Sequence, residues 1–185
     1  MNKLKIHRAI FAFLCVFAID AKVAMPVILG AVLETGSGLL ESGNYGTGIA
    51  RITPFVGIWM DGLGFARLGA STASQKEVID PGVSEELNRL DFSTQIGLCI
   101  IGPEMPYIAL SYVRAGSYSQ NSQIGDSKWN ELGAGFGHRF SFSPSASLVI
   151  EAEHRWITEH YDRRRNKEVS GRRLQMNFGL VASPL

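Results

Sequence analysis

The sequence predicts an all-β protein: an eight-stranded antiparallel up-and-down transmembrane β-barrel with an N-terminal signal peptide. Three observations carry that expectation. Beyond the N-terminus, no apolar run approaches the roughly 18 residues that a membrane helix needs. From Val27 onward, apolar and polar residues alternate in segments long enough to cross a bilayer as tilted strands. Compact turns take turns with longer polar connections, the rhythm of a barrel whose tight hairpins all lie on one side of the membrane.

The first residues read as an export signal. Lys3, Lys5 and Arg8 form a basic start, and Ala9 to Ile19 form an apolar stretch too short to span. Cleavage after Ala21 or Ala24 would divide the chain into a signal peptide, 1–24, and a barrel domain, 25–185. Cys15 lacks the small residues that precede a lipidation cysteine, and Cys99 alone would remain, so no internal disulfide is expected. The 185 residues suit one domain, and a net charge of +1 excludes the global basic excess of a nucleic-acid binder.

The strands are expected at Val27 to Glu34, Gly48 to Trp59, Gly64 to Ser74, Arg89 to Ile100, Tyr107 to Tyr118, Lys128 to Phe140, Ala146 to His160 and Arg172 to Ala182. Asp61-Gly62, Gly102 to Pro106 and Ser141 to Ser145 are short turns rich in residues that tolerate turn geometry. Gly36 to Thr47, Gln75 to Asn88, Ser119 to Ser127 and Tyr161 to Gly171 are the longer loops of the opposite side.

Alternation then fixes the faces. In the fourth segment Leu90, Phe92, Ile96 and Leu98 share one face, and Arg89, Asp91, Ser93 and Gln95 the other. The seventh and eighth segments repeat the pattern, with Glu151, Glu153 and Arg155, then Arg173, Gln175 and Asn177, opposite apolar residues. A basic side chain facing lipid near the midplane costs about 2–4 kcal/mol, whereas inside a narrow bore it can find a counter-charge. Arg51, Arg67, Asp91, Glu131, Arg139, Glu151, Glu153, Arg155 and Arg173 are therefore expected inside, as an ion-pair network that fills the lumen. Trp59, Tyr107, Tyr118, Trp129 and Trp156, with Phe65 and Phe140 near strand ends, are expected as interface anchors.

The run from Leu132 to Trp156, LGAGFGHRFSFSPSASLVIEAEHRW, resembles a hairpin of the small outer-membrane barrels of the opacity and adhesion type. The shared features are Gly133-Ala134-Gly135 with Gly137, Arg139 before a Ser-Pro turn, and alternation ending in Glu153-His154-Arg155-Trp156. Gly171 followed by Leu174, Met176, Phe178 and Leu180 is similar to the terminal-strand insertion signal, although the chain ends in Leu185 where many members end in Phe. The resemblance implies the bacterial outer membrane as location, and the barrel assembly machinery, outer-membrane lipid and lipopolysaccharide as partners. It also implies a non-enzymatic role in envelope integrity, with loops presented for adhesion to a host or envelope ligand. No cofactor or nucleic acid is implied.

An enzymatic alternative centres on His154. Lipid A deacylases are eight-stranded barrels with a His-x-Ser pair on a late strand, but here His154-Arg155-Trp156 puts tryptophan where the nucleophilic hydroxyl belongs. A narrow pore or a soluble ligand carrier is a third reading. His7, His138, His154 and His160 are scattered and give no metal-ligand spacing, and Glu151 with Glu153 read as ion-pair partners of Arg155, Arg139 and Arg173. Arg163, Arg164, Arg165 and Lys167, in the last loop, are candidates for contact with lipopolysaccharide phosphates or a host polyanion.

Overall fold

The computed structural model of the chain describes residues 27–40, 45–60, 62–80, 83–100, 106–119, 127–161 and 167–183. The expected export signal, the Gly102 to Pro106 turn apart from Pro106, and Arg163 to Arg165 lie outside the described residues. The strands are β1 (Val27–Leu40), β2 (Tyr45–Met60), β3 (Gly64–Asp80), β4 (Val83–Cys99), β5 (Tyr107–Ser119), β6 (Ser127–Ser143), β7 (Ala146–Tyr161) and β8 (Lys167–Ala182). Each pairs antiparallel with the next, and β8 returns to β1, so the sheet closes into a barrel, with the β2–β3 ladder running from Phe55↔Gly69 to Met60↔Gly64. Closure lets neighbouring strands satisfy one another's backbone groups sideways, which is the condition for placing a sheet in hydrocarbon.

The registers fix the tilt. Stepping sideways from Val27 through Ile58, Ala66, Ile96, Leu110, Ala134, His154 and Leu174 returns to β1 at Ser37, ten residues up the strand. A stagger of that size over eight strands inclines them about 40° to the barrel axis. Strands of 13 to 17 residues then rise well past an apolar band roughly 25 Å tall.

That overshoot corrects three of the expected long loops. Gln75 to Asn88 is almost wholly β3 and β4, paired from Gln75↔Leu87 to Asp80↔Val83. Gly36 to Thr47 is shortened in the same way by β1 and β2, and Tyr161 to Gly171 by β8. Beyond the membrane a strand has no lipid to face, so the apolar alternation that marks a spanning strand can stop before the strand does. At the opposite end the hairpins are tight. Leu63 N donates to the Met60 carbonyl at 3.0 Å, with Gly62 at φ +76°. Gly64, at φ +144°, lies so close to the Gly97 carbonyl oxygen that a Cβ would overlap it, so only glycine fits the start of β3. At the β6–β7 hairpin a register shift between Ser141 and Ser143 precedes the Pro144-Ser145 turn.

The barrel is inside out relative to a soluble one. Ile52, Leu68, Phe92, Leu110, Leu132, Phe136, Leu174 and Leu180 are exposed on its circumference, whereas Glu34, Arg51, Asp91, Glu131, Glu151, Glu153 and Arg173 are buried. A soluble barrel would bury the first set and expose the second. The chain is therefore a transmembrane barrel of the outer-membrane type, with the start of β1, the end of β8 and the tight turns at one end.

Candidate functional site

The lumen divides along its length. The end nearest the tight turns is packed with Ile28, Val32, Phe55, Trp59, Phe65, Tyr107, Ala109, Val149 and Val181, with Cys99 against them. Trp59 stacks on Phe65 at 5.3 Å between ring centroids, and Tyr107 meets Phe65 edge-on at 4.9 Å. This aromatic plug corrects the expected interface anchors. Trp59 and Tyr107 point into the bore, as do Phe65 and, nearer the other end, Trp129. Trp156, 49% exposed, does face outward, as does Phe140. Tyr118 and Lys167 fall on β5 and β8, but their side chains are outside the described set.

The rest of the bore is ionic. Glu131 accepts from Arg173 at 2.6 Å, Arg155 at 3.0 Å and Arg89 at 3.1 Å, so three strands converge on one carboxylate. Arg89 also donates to Asp91 at 2.9 Å, and Asp91 pairs with Arg51. Arg51 grips Glu34 through Nε and Nη2, at 2.9 and 2.6 Å. Arg155 Nε holds Glu153 at 2.8 Å, where Ser111 and Gln95 also donate.

Nearest the plug, Glu151 accepts from Arg67 at 2.8 Å, the Tyr107 hydroxyl at 2.7 Å, Asn177 at 3.0 Å and Gln95 at 3.3 Å. Its cation comes from β3, across the bore from β7. The sequence paired Glu151 and Glu153 with Arg155, Arg139 and Arg173 along the wall; Arg155 does hold Glu153, but Arg173 is taken by Glu131. Arg139 sits lower, donating to Ser147 at 2.8 Å with its guanidinium 4.3 Å from the Trp59 ring centroid. Pairing across the bore follows from its width, since an eight-stranded barrel brings opposite walls within reach of long side chains.

Glu34, Arg89, Gln95, Ser111, Gln175 and Asn177 belong to the network and were not among the expected lumen ion pairs. Gln175 links two of the clusters, donating to Glu34 at 2.9 Å and to Asn177 at 2.7 Å. Alternation in the sequence places four of them on the inward face, Arg89 and Gln95 in step with Asp91, and Gln175 and Asn177 with Arg173, without naming their partners. Between plug and network, a cavity of about 20 Å³ lies among Glu34, Thr53, Phe55, Arg67, Gln95 and Arg155. That is room for about one water and too little for a hydrated ion.

His154 lies on the outer face. Its register partners are Ala134 and Leu174, and its ring meets Trp156 edge-on at 4.7 Å. None of these neighbours carries a hydroxyl that an imidazole could activate. Glu151 and Glu153, both held by arginine and amide donors, are set for charge compensation and not for proton transfer.

No protein-family model matches the chain, and a search of curated proteins gives no match. Among solved structures it is similar to the Neisserial surface protein A, at 13% identity over 85% of this chain and 97% of that one, with a TM-score of 0.49. A de novo designed transmembrane β-barrel matches at 11% identity over 90% of this chain and 100% of that one, with a TM-score of 0.40. The outer membrane protease OmpT from Escherichia coli matches at 8% identity over 88% and 98%, with a TM-score of 0.42. The sidedness of the barrel stands on its own burial pattern.

Proposed function

We propose that this outer-membrane barrel is a non-conducting, non-enzymatic scaffold, which contributes to envelope integrity and presents its loops for adhesion or binding. The observation that carries the proposal is the compensated lumen: Glu131, Glu151 and Glu153 each accept from at least one arginine, and the aromatic plug closes the turn end. A bore organised this way favours rigidity over transport or chemistry. Loops on a rigid support can vary without disturbing the fold. The partners proposed are outer-membrane lipid and lipopolysaccharide, the assembly machinery during insertion, and a host or envelope ligand met by Arg163, Arg164, Arg165 and Lys167.

Reconstitution tests this directly. In planar bilayers the protein is expected to give no steady conductance, and with lipid A it is expected to release no acyl chain. Exchanging residues 162–167 for a Gly-Ser segment is expected to abolish adhesion of expressing cells while leaving heat-modifiable gel migration intact. A large steady conductance, or acyl release that disappears in His154→Ala, would overturn the proposal.

A further inference from the structure

Among the residues whose side chains are described, the charged ones on the outer circumference all lie on β5 to β8. On β5 the outward residues run Ile108, Leu110, Tyr112 and then Arg114; on β8 they run Phe178, Met176, Leu174 and then Arg172. Each arginine is exposed and is the first outward position past the apolar belt, at the end away from the tight turns. The strands between them complete a patch. Arg114 stands opposite Asn130, whose Oδ1 accepts from the Tyr112 hydroxyl at 2.7 Å, and Arg172 stands opposite Trp156. Leu132 lies opposite both Tyr112 and Trp156, so the patch is continuous across four strands.

On β1 to β4 the corresponding outward positions, Thr35, Ser37, Ala50, Thr72 and Asn88, are uncharged. An arginine at this height escapes most of the cost of facing hydrocarbon, because its head reaches the level of the lipid headgroups. A guanidinium there presents a fork that matches phosphate geometry. Exposed Trp156 and Tyr112 lie just below, where an acyl chain leaves its headgroup.

We infer that the outer face of β5 to β8 is a docking site for the phosphate-bearing headgroup of an outer-leaflet glycolipid, clamped between Arg114 and Arg172. This site is on the barrel wall, distinct from the loop arginines, and it rests on the outer-membrane scaffold reading given above. It gives the barrel a preferred lipid on one side and hence a fixed facing within the leaflet.

Native mass spectrometry of the full barrel in detergent, after incubation with phosphorylated or dephosphorylated lipid A, tests the site. The unaltered protein is expected to retain the phosphorylated form at least roughly tenfold better. Arg114→Gln with Arg172→Gln is expected to erase that preference, and Arg163→Gln, Arg164→Gln and Arg165→Gln together to preserve it. Each single arginine substitution is expected to give a partial loss, which covers the case in which the double variant fails heat-modifiable migration. Equal retention of the two lipids, or a preference that survives loss of both rim arginines, would overturn the inference while leaving the scaffold reading standing. Loss of the preference in the loop variant alone would move the contact to the loop and likewise refute the rim site. A conducting barrel with the preference intact would instead refute the scaffold reading alone.

Discussion

Glu131→Gln is expected to destabilise the folded barrel by about 3–5 kcal/mol, because it removes the charge on which three buried arginines converge. Arg89, Arg155 and Arg173 are each no more than 3% exposed. None can turn to water when its partner is neutralised. The residual hydrogen-bonding capacity of the amide cannot serve three guanidinium groups, so mutual repulsion among them adds to the loss. Urea unfolding of the detergent-folded protein, followed by heat-modifiable migration, reads the effect as a lower midpoint. Added salt should not restore it, since ions do not screen charges sealed in the bore. A midpoint shift equivalent to less than about 0.5 kcal/mol, the scale of an ordinary surface substitution, would mean that the ion pairs do not hold the lumen together.

Trp59→Ala is expected to cost a similar amount, about 3–5 kcal/mol, by a different route. The indole stacks on Phe65 at 5.3 Å, meets Tyr107 edge-on at 6.5 Å and lies under the Arg139 guanidinium. Its removal leaves a void between rigid walls that cannot collapse, and it strips Arg139 of its ring. Trp156→Ala, on the lipid-facing surface, should shift the unfolding midpoint far less, because lipid fills the space left behind. If instead Trp156→Ala proves the costlier substitution, Trp59 is not the keystone of the turn-end plug.

These two tryptophans also show what was legible in the sequence. Strand number and order could be read because the apolar and polar alternation persists wherever one face meets lipid, and the inward direction of Arg51, Asp91, Glu151 and Arg173 follows from it. Trp59, Tyr107 and Trp129 were misplaced because they were read by their height near strand ends. Their step with Arg51, Ser111 and Glu131 is even, which puts them on the inner wall. Of the charge pairs, Arg155 with Glu153, along a single strand, was legible, and those between strands were not. Alternation gives the face a side chain takes, whereas the choice of Arg67 for Glu151 depends on the stagger that brings β3 opposite β7, and no local pattern encodes that stagger. The polar upper ends of β3 and β4 were read as loop for a related reason, since strands that rise beyond the membrane lose the apolar face that betrays them.

Fluorescence quenching by brominated lipids tests the sidedness of the wall most directly, using the three native tryptophans. In proteins that keep a single tryptophan and carry phenylalanine at the other two sites, Trp156 should be strongly quenched by bromine on the acyl chains, with Trp59 and Trp129 nearly unaffected. Quenching of Trp59 or Trp129 as strong as that of Trp156 would place the inner residues against lipid, and the inside-out barrel would be wrong.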